Sequence, residues 1–217
     1  MKFPALSKTY GKRKVLDLPS FEIPEGTITA VAGSNGCGKS SLAKVLAGIE
    51  KADQNSKIIS DITVGYMPQK NYAFRMSTAH NILLNGNDKN RSATLMNALH
   101  LDSLSGQPAK KLSGGETAKM ALARLLMKPY RFLILDEPTA AMDMESTLAA
   151  EELICSYCEE TGCTVLLITH SIQQARRIAK YMIFLHEGRL IEQGETERIL
   201  TSPAKDATRR FLEFYGI

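Results

Sequence analysis

The chain has 217 residues, 44% apolar and 23% charged, and its 27 basic and 23 acidic side chains leave a formal charge of +4. Those proportions suit one large globular domain, and the small, evenly spread positive excess excludes the basic stripe of a nucleic-acid-binding face, so no nucleic-acid partner is expected. No apolar run reaches the ~18 residues of a membrane span, and the opening MKFPALSKTYGKRK lacks the apolar core of a secretion signal, which points to a cytoplasmic chain.

In chain order, residues 1–32 look β-rich, and TITAVA (27–32) reads as a buried strand. A glycine-rich turn, GSNGCGKS (33–40), follows; Leu42, Val45, Leu46 and Ile49 then recur at helical spacing, with Gly48 near the helix end. SKIISDITVGYMPQ (56–69) reads as short strands closing at Pro68 and Gln69. From residue 71 the character changes. STAHNILLNG and RSATLMNALHL look like two short helices around the polar NGNDKN, a helical insertion that spans 71–125 once the LSGGE helix is included. RFLILDEP and CTVLLITH are short apolar strands, SIQQARRIAKYM a helix, IFLHEGRLIEQG a hairpin turning at Glu187 and Gly188, and DATRRFLEFYG a closing helix. Strands alternating with helices indicate an α/β fold with a largely parallel sheet. Cys155 and Cys158 form a CxxC near a helix end with no second ligand pair, so with Cys163 they are expected to be reduced structural thiols.

The turn GSNGCGKS matches the phosphate-loop pattern at Gly33, Gly38, Lys39 and Ser40, between a strand and an amphipathic helix as the mechanism requires. Its glycines let the backbone of Gly33, Ser34, Asn35, Gly36, Cys37 and Gly38 curl so that N–H groups and a helix N-terminus face an anion. Lys39 is then placed to reach the β- and γ-phosphates of a nucleotide, Ser40 to ligate Mg²⁺, and Ser41 to add a phosphate hydrogen bond. Asp136 closes the apolar strand RFLILD, placed to hold Mg²⁺ directly or through water. Glu137 is expected to point the opposite way if strand geometry continues, free to orient and deprotonate water. Gln69 and His170 close comparable strands: the Gln69 amide is a candidate ligand for Mg²⁺ or attacking water, and His170 a candidate donor to the γ-phosphate.

GSNGCGKS, Gln69, LSGGE, FLILDEP, TAAMD (139–143) and His170 occur in this order over residues 1–200. Together they resemble the ATP-binding subunit of an ABC transporter. The resemblance implies a P-loop NTPase core of the ABC type, with a small helical subdomain and an N-terminal antiparallel β region. It implies Mg²⁺-dependent ATP hydrolysis by two cassettes paired head to tail, as a homodimer or with a homologous cassette. Ser113, Gly114 and Gly115 would contact the γ-phosphate held by the other subunit, Asp143 would couple the two sites, and Tyr10 would stack on adenine. Implied partners are integral membrane permease subunits and a substrate-binding protein, with the cassette peripheral on the cytoplasmic face of the membrane. A stand-alone cassette favours uptake. An exporter subunit, a soluble non-transport cassette and a non-hydrolysing module are the alternatives.

Two positions depart from the family pattern. The signature ends in Glu116 instead of glutamine, and Ser113 with Glu116 has the S-x-x-E spacing of a capping box. Met142 stands where leucine is common, a swap of similar volume. Tyr72, Phe74 and Met76 either line a groove for the permease or belong to the core of the helical insertion.

Overall fold

The computed structural model describes residues 1–54 and 62–214. The strand reading at 56–61 and the last residues of the closing helix lie outside them. Four short strands open the chain, β1 (Lys2–Phe3), β2 (Leu6–Tyr10), β3 (Arg13–Leu18) and β4 (Phe21–Glu22), pairing antiparallel as β1 with β4 and β2 with β3. Then follow β5 (Ile28–Ala32), α1 (Lys39–Leu46), β6 (Val64–Met67), α2 (Thr78–Leu83), α3 (Lys89–Ala98) and α4 (Gly114–Leu125). The second half comprises β7 (Phe132–Asp136), α5 (Met144–Thr161), β8 (Thr164–Ile168), α6 (Ile172–Ile178), β9 (Tyr181–His186), β10 (Arg189–Glu195), α7 (Thr196–Thr201) and α8 (Asp206–Phe214).

Among the described residues the main sheet has six strands in the order β10, β9, β5, β8, β7, β6, all neighbours parallel except β10 with β9. Side-chain alternation divides the core between its two faces. Phe132 and Ile134 of β7 pack with Val31, Leu42 and Leu166, while Leu133 and Leu135 pack with Leu167, Phe184 and Ile154. The same alternation carries Asp136 to the face covered by α1. Ile82, Leu95 and Leu122, from α2, α3 and α4, are buried in the cluster that holds Leu133.

The structure corrects three local expectations. The helix after the phosphate loop stops at Leu46, Gly48 turns left-handed at φ 72°, and Ile49 is 60% exposed instead of on the buried stripe. The helix read through Met182 ends at Ile178, because Tyr181 and Met182 pair with Thr29 and Ala30 of β5, and tertiary pairing wins over a helical pattern. Helix α3 begins at Lys89, earlier than RSATLMNALHL suggests, since Asp88 accepts from the Arg91 backbone N–H at 3.0 Å and caps the new first turn. The hairpin does turn at Glu187 and Gly188, whose φ values of 47° and 77° suit a two-residue turn.

Candidate functional site

The phosphate loop is shaped by what surrounds it. A Cβ on Gly33 would fall 2.1 Å from the Leu185 carbonyl oxygen, and Gly33 has φ 151°, so only glycine lets the loop leave β5 beneath β9. Gly38 is the left-handed N-cap of α1. Lys39 follows, buried, its Nζ donating to the carbonyls of Gly33 at 2.8 Å and Ser34 at 3.0 Å. Burial holds its ammonium below the ordinary lysine value. Ser34, Asn35 and Gly36 are exposed, whereas the Cys37 thiol points into the core and burial raises its pKa. Cys37 can therefore offer a ligand its backbone only.

Three strand ends meet beside this loop. Asp136 Oδ1 accepts from Ser40 Oγ at 3.3 Å. It is 2% exposed, and burial, with the neighbouring Glu137 charge, raises its pKa despite the Ser40 hydrogen bond and Lys39. Glu137 does not continue the strand: its φ of 52° is a left-handed conformation costing about 1–2 kcal/mol for a residue with a side chain. The simple alternation expected for Glu137 therefore fails. The turn brings its carboxylate between two partners instead, His170 Nε2 2.5 Å from Oε1 and Gln69 Nε2 donating to Oε2 at 2.9 Å. The Glu137 N–H also donates to the Ile168 carbonyl at 2.9 Å, tying the ends of β7 and β8 together.

At the other end of the site Tyr10, 42% exposed, donates its hydroxyl to Glu50 Oε2, and Lys8 Nζ lies 5.0 Å over its ring. A cleft of about 760 Å³ joins these parts, lined by Tyr10, Asn35, Gly36, Gly38, Lys39, Ser40, Ser41, Gln69, Glu137 and His170, with Arg13 and Val15. The last two were missed in the sequence. Tyr10 pairs with Arg13 across the β2 to β3 turn at Gly11, a signal legible only once Gly11 is read as a hairpin turn.

Ser113, Gly114 and Gly115 stand apart from the residues lining that cleft. Ser113 caps α4, its Oγ accepting from Glu116 N–H at 3.2 Å while Glu116 Oε2 accepts from Ser113 N–H at 2.7 Å. The capping box expected from the spacing is therefore formed. The two glycines differ. A Cβ on Gly115 would lie 2.7 Å from the Ala141 carbonyl oxygen, whereas one on Gly114 would meet only the Ala141 Cβ at 3.8 Å. Asp143 caps α5, its Oδ1 accepting from Ser146 N–H at 2.8 Å. Tyr72 and Phe74 are exposed, Met76 is half-buried, and Arg124 lies 5.3 Å from the Phe74 ring centroid.

Residues 16–140 match the ABC transporter family. The chain belongs to that family. As an ABC transporter ATP-binding subunit it is an ATPase, with the P-loop NTPase core and small helical subdomain of that group. It is 39% identical over 204 residues to the tungstate uptake system ATP-binding protein TupC of Peptoclostridium acidaminophilum, covering 86% of this chain and 94% of that one. It is 32% identical over 226 residues to the phosphate import ATP-binding protein PstB of Aeropyrum pernix, covering 89% of each. Two solved structures share the fold. One is an ATP-binding cassette dimer in a post-hydrolysis state bound to ADP and Pi (TM-score 0.79, 22% identity, 90% of this chain and 98% of that one). The other is a bacterial Atm1-family ABC exporter with ATP bound (TM-score 0.86, 20% identity, all of this chain), of whose chain the cassette spans 42%. Among the described residues, no helix of the cassette is long and apolar enough to cross a membrane.

Proposed function

We propose that this cassette hydrolyses ATP as one half of a head-to-tail pair and powers uptake through partner permease subunits served by a substrate-binding protein. The observation that carries the reading is the convergence of Gln69 and His170 on the two carboxylate oxygens of Glu137, at a cleft also lined by Lys39, Ser40 and Tyr10. Tyr10 stacks on the adenine. The loop from Gly33 to Ser41 wraps the phosphates with backbone N–H groups, and Lys39 gives up its carbonyl partners to reach the β- and γ-oxygens. Glu137 takes the proton of the attacking water, Gln69 orients that water, and His170 hydrogen-bonds the γ-phosphate as charge develops on it.

The donor set fits Mg²⁺: a hard cation suits the Ser40 hydroxyl beside the buried Asp136 carboxylate, whose own charge burial disfavours. Gln69 adds an amide oxygen. Bound there, Mg²⁺ supplies charge neutralisation of the phosphate oxygens.

Gly114 and its cap Ser113 are exposed and lie outside this chain's own cleft lining, which supports their service to the other subunit's ATP. Residues 71–125 act as the inserted subdomain that meets the permease, with Tyr72 and Phe74 on its surface, and the cassette is cytoplasmic and peripheral to the membrane through that contact. Uptake follows the tungstate and phosphate relatives, which are named for it. The test is the Glu137→Gln variant with ATP. It should form a stable dimer by light scattering, and a persistent monomer overturns the paired mechanism.

A further inference from the structure

Glu137 and His170 meet across the ends of β7 and β8, yet each lies at the start of a loop. Glu137 holds a left-handed backbone, a conformation that persists only where the surroundings over-determine it. Beside the pair lies a cavity of about 260 Å³ lined by Glu137, Thr139, His170 and Gln174 among others. Gln174 bridges the two loops. It sits four residues after His170, in α6, and Thr139 sits two residues after Glu137. Gln174 Nε2 donates to Thr139 Oγ1 at 2.9 Å and to Glu151 Oε1 at 3.0 Å.

The bridge is buried and anchored. Gln174 is 2% exposed and Glu151, on α5, 3%. Arg177 donates from Nε and Nη2 to the two oxygens of Glu151, both at 2.7 Å, the bidentate arrangement that orients a carboxylate most firmly. A carboxylate only accepts, so the Gln174 amide must turn its nitrogen to Glu151, and the second N–H is aimed at Thr139. Gln174 also donates its backbone N–H to Ser171 Oγ at 3.1 Å, closing the first turn of α6 directly after His170.

We propose that Gln174 is a positioning residue for ATP hydrolysis: held by Glu151 and Arg177, it ties Thr139 to α6 and so keeps Glu137 in register with His170. The inference rests on reading Glu137 and His170 as the hydrolytic pair.

The test uses the full chain, with single-turnover hydrolysis and equilibrium ATP binding measured side by side. Thr139→Val removes the acceptor at nearly constant volume, and Gln174→Leu removes the donor. Each should slow hydrolysis by about tenfold to a hundredfold, as small misplacements of catalytic groups do, with ATP affinity unchanged. Thr139→Ser, which keeps the acceptor, should retain the parent rate. The double variant should be no slower than Gln174→Leu alone, because one interaction is removed twice. A parent rate in Thr139→Val, losses that multiply in the double variant, or a rate loss matched by an affinity loss overturns the proposal. Should Gln174→Leu fail to fold, the comparison of Thr139→Val with Thr139→Ser decides alone. Glu137→Gln runs in parallel. An undiminished rate there overturns the hydrolytic reading and the proposal with it, whereas an inactive Glu137→Gln beside a fully active Thr139→Val overturns the role of Gln174 only.

Discussion

His170 Nε2 stands 2.5 Å from Glu137 Oε1, although the two residues close different strands. The contact exists because β7 and β8 are adjacent and parallel, with Asp136 paired to Ile168, so both chains leave the sheet at the same edge. Ligand sites of open α/β sheets form at that carboxyl edge. Removing the carboxylate of this pair tests the chemistry directly. Glu137→Gln should lower phosphate release by about a hundredfold or more, the lower range of general-base effects, while ATP binding persists. His170→Ala should do the same without weakening the Tyr10 side of the site. Measured ATP affinity separates these losses from a binding defect.

The two signature glycines should behave differently. Alanine at 115 would push its Cβ against the Ala141 carbonyl oxygen, 2.7 Å away, and overpacking against backbone costs about 1–3 kcal/mol. Gly115→Ala should therefore lower the melting temperature of the isolated cassette. Gly114→Ala meets no such obstacle and, at the first position of α4, restricts the unfolded chain, which favours folding by roughly 0.4–1 kcal/mol. Its melting temperature should match or exceed the parent's while ATPase activity falls, the signature of a surface kept bare for a ligand. Thermal unfolding and phosphate release on both variants give the comparison.

Glu116 acts first as a cap. Its carboxylate accepts from Ser113 N–H at 2.7 Å, and glutamine retains that acceptor. Turnover of Glu116→Gln should change by less than about tenfold, because a partly exposed charge is worth at most about 1 kcal/mol. A larger rise in turnover at saturating ATP would show that the charge opposes the partner's triphosphate. Ser113→Ala, which removes the other half of the box, should cost about 1 kcal/mol of stability, measurable by denaturant unfolding.

Asp136 sets a pH dependence of stability. Burial raises its folded pKa above the ordinary 3.8, so between those two values the folded state binds more protons than the unfolded one. Stability from this group falls as pH climbs through that window and stays lost at neutral pH. Asp136→Asn should therefore melt higher than the parent at neutral pH, and the advantage should shrink as the medium is made acidic. Hydrolysis should be lost throughout. Melting curves at neutral and mildly acid pH would expose an advantage that fails to shrink.

Much of this was legible in the chain. Local patterns suffice where chemistry demands a contiguous stretch: the phosphate loop needs its glycines, lysine and serine within eight residues, and the cap of α4 needs only Ser113 and Glu116 three apart. The strands were legible because apolar runs such as FLILD are buried on both sides. Elements whose ends depend on distant partners were not. Tyr181 and Met182 carry a helical pattern and become strand because β5 lies beside them, and Ile49 continues an apolar stripe but falls past the glycine that ends α1.

By itself, then, the sequence singled out the candidate residues for phosphate, metal and signature chemistry, because the motifs that name them depend on residue type and local spacing. Only the tertiary structure decided how they are placed together. The left-handed turn of Glu137 toward Gln69 and His170, the close approach of the Ala141 backbone to Gly115, and the bridge from Gln174 to Thr139 join residues far apart in the chain. Such contacts follow from strand order and packing, which no local spacing encodes.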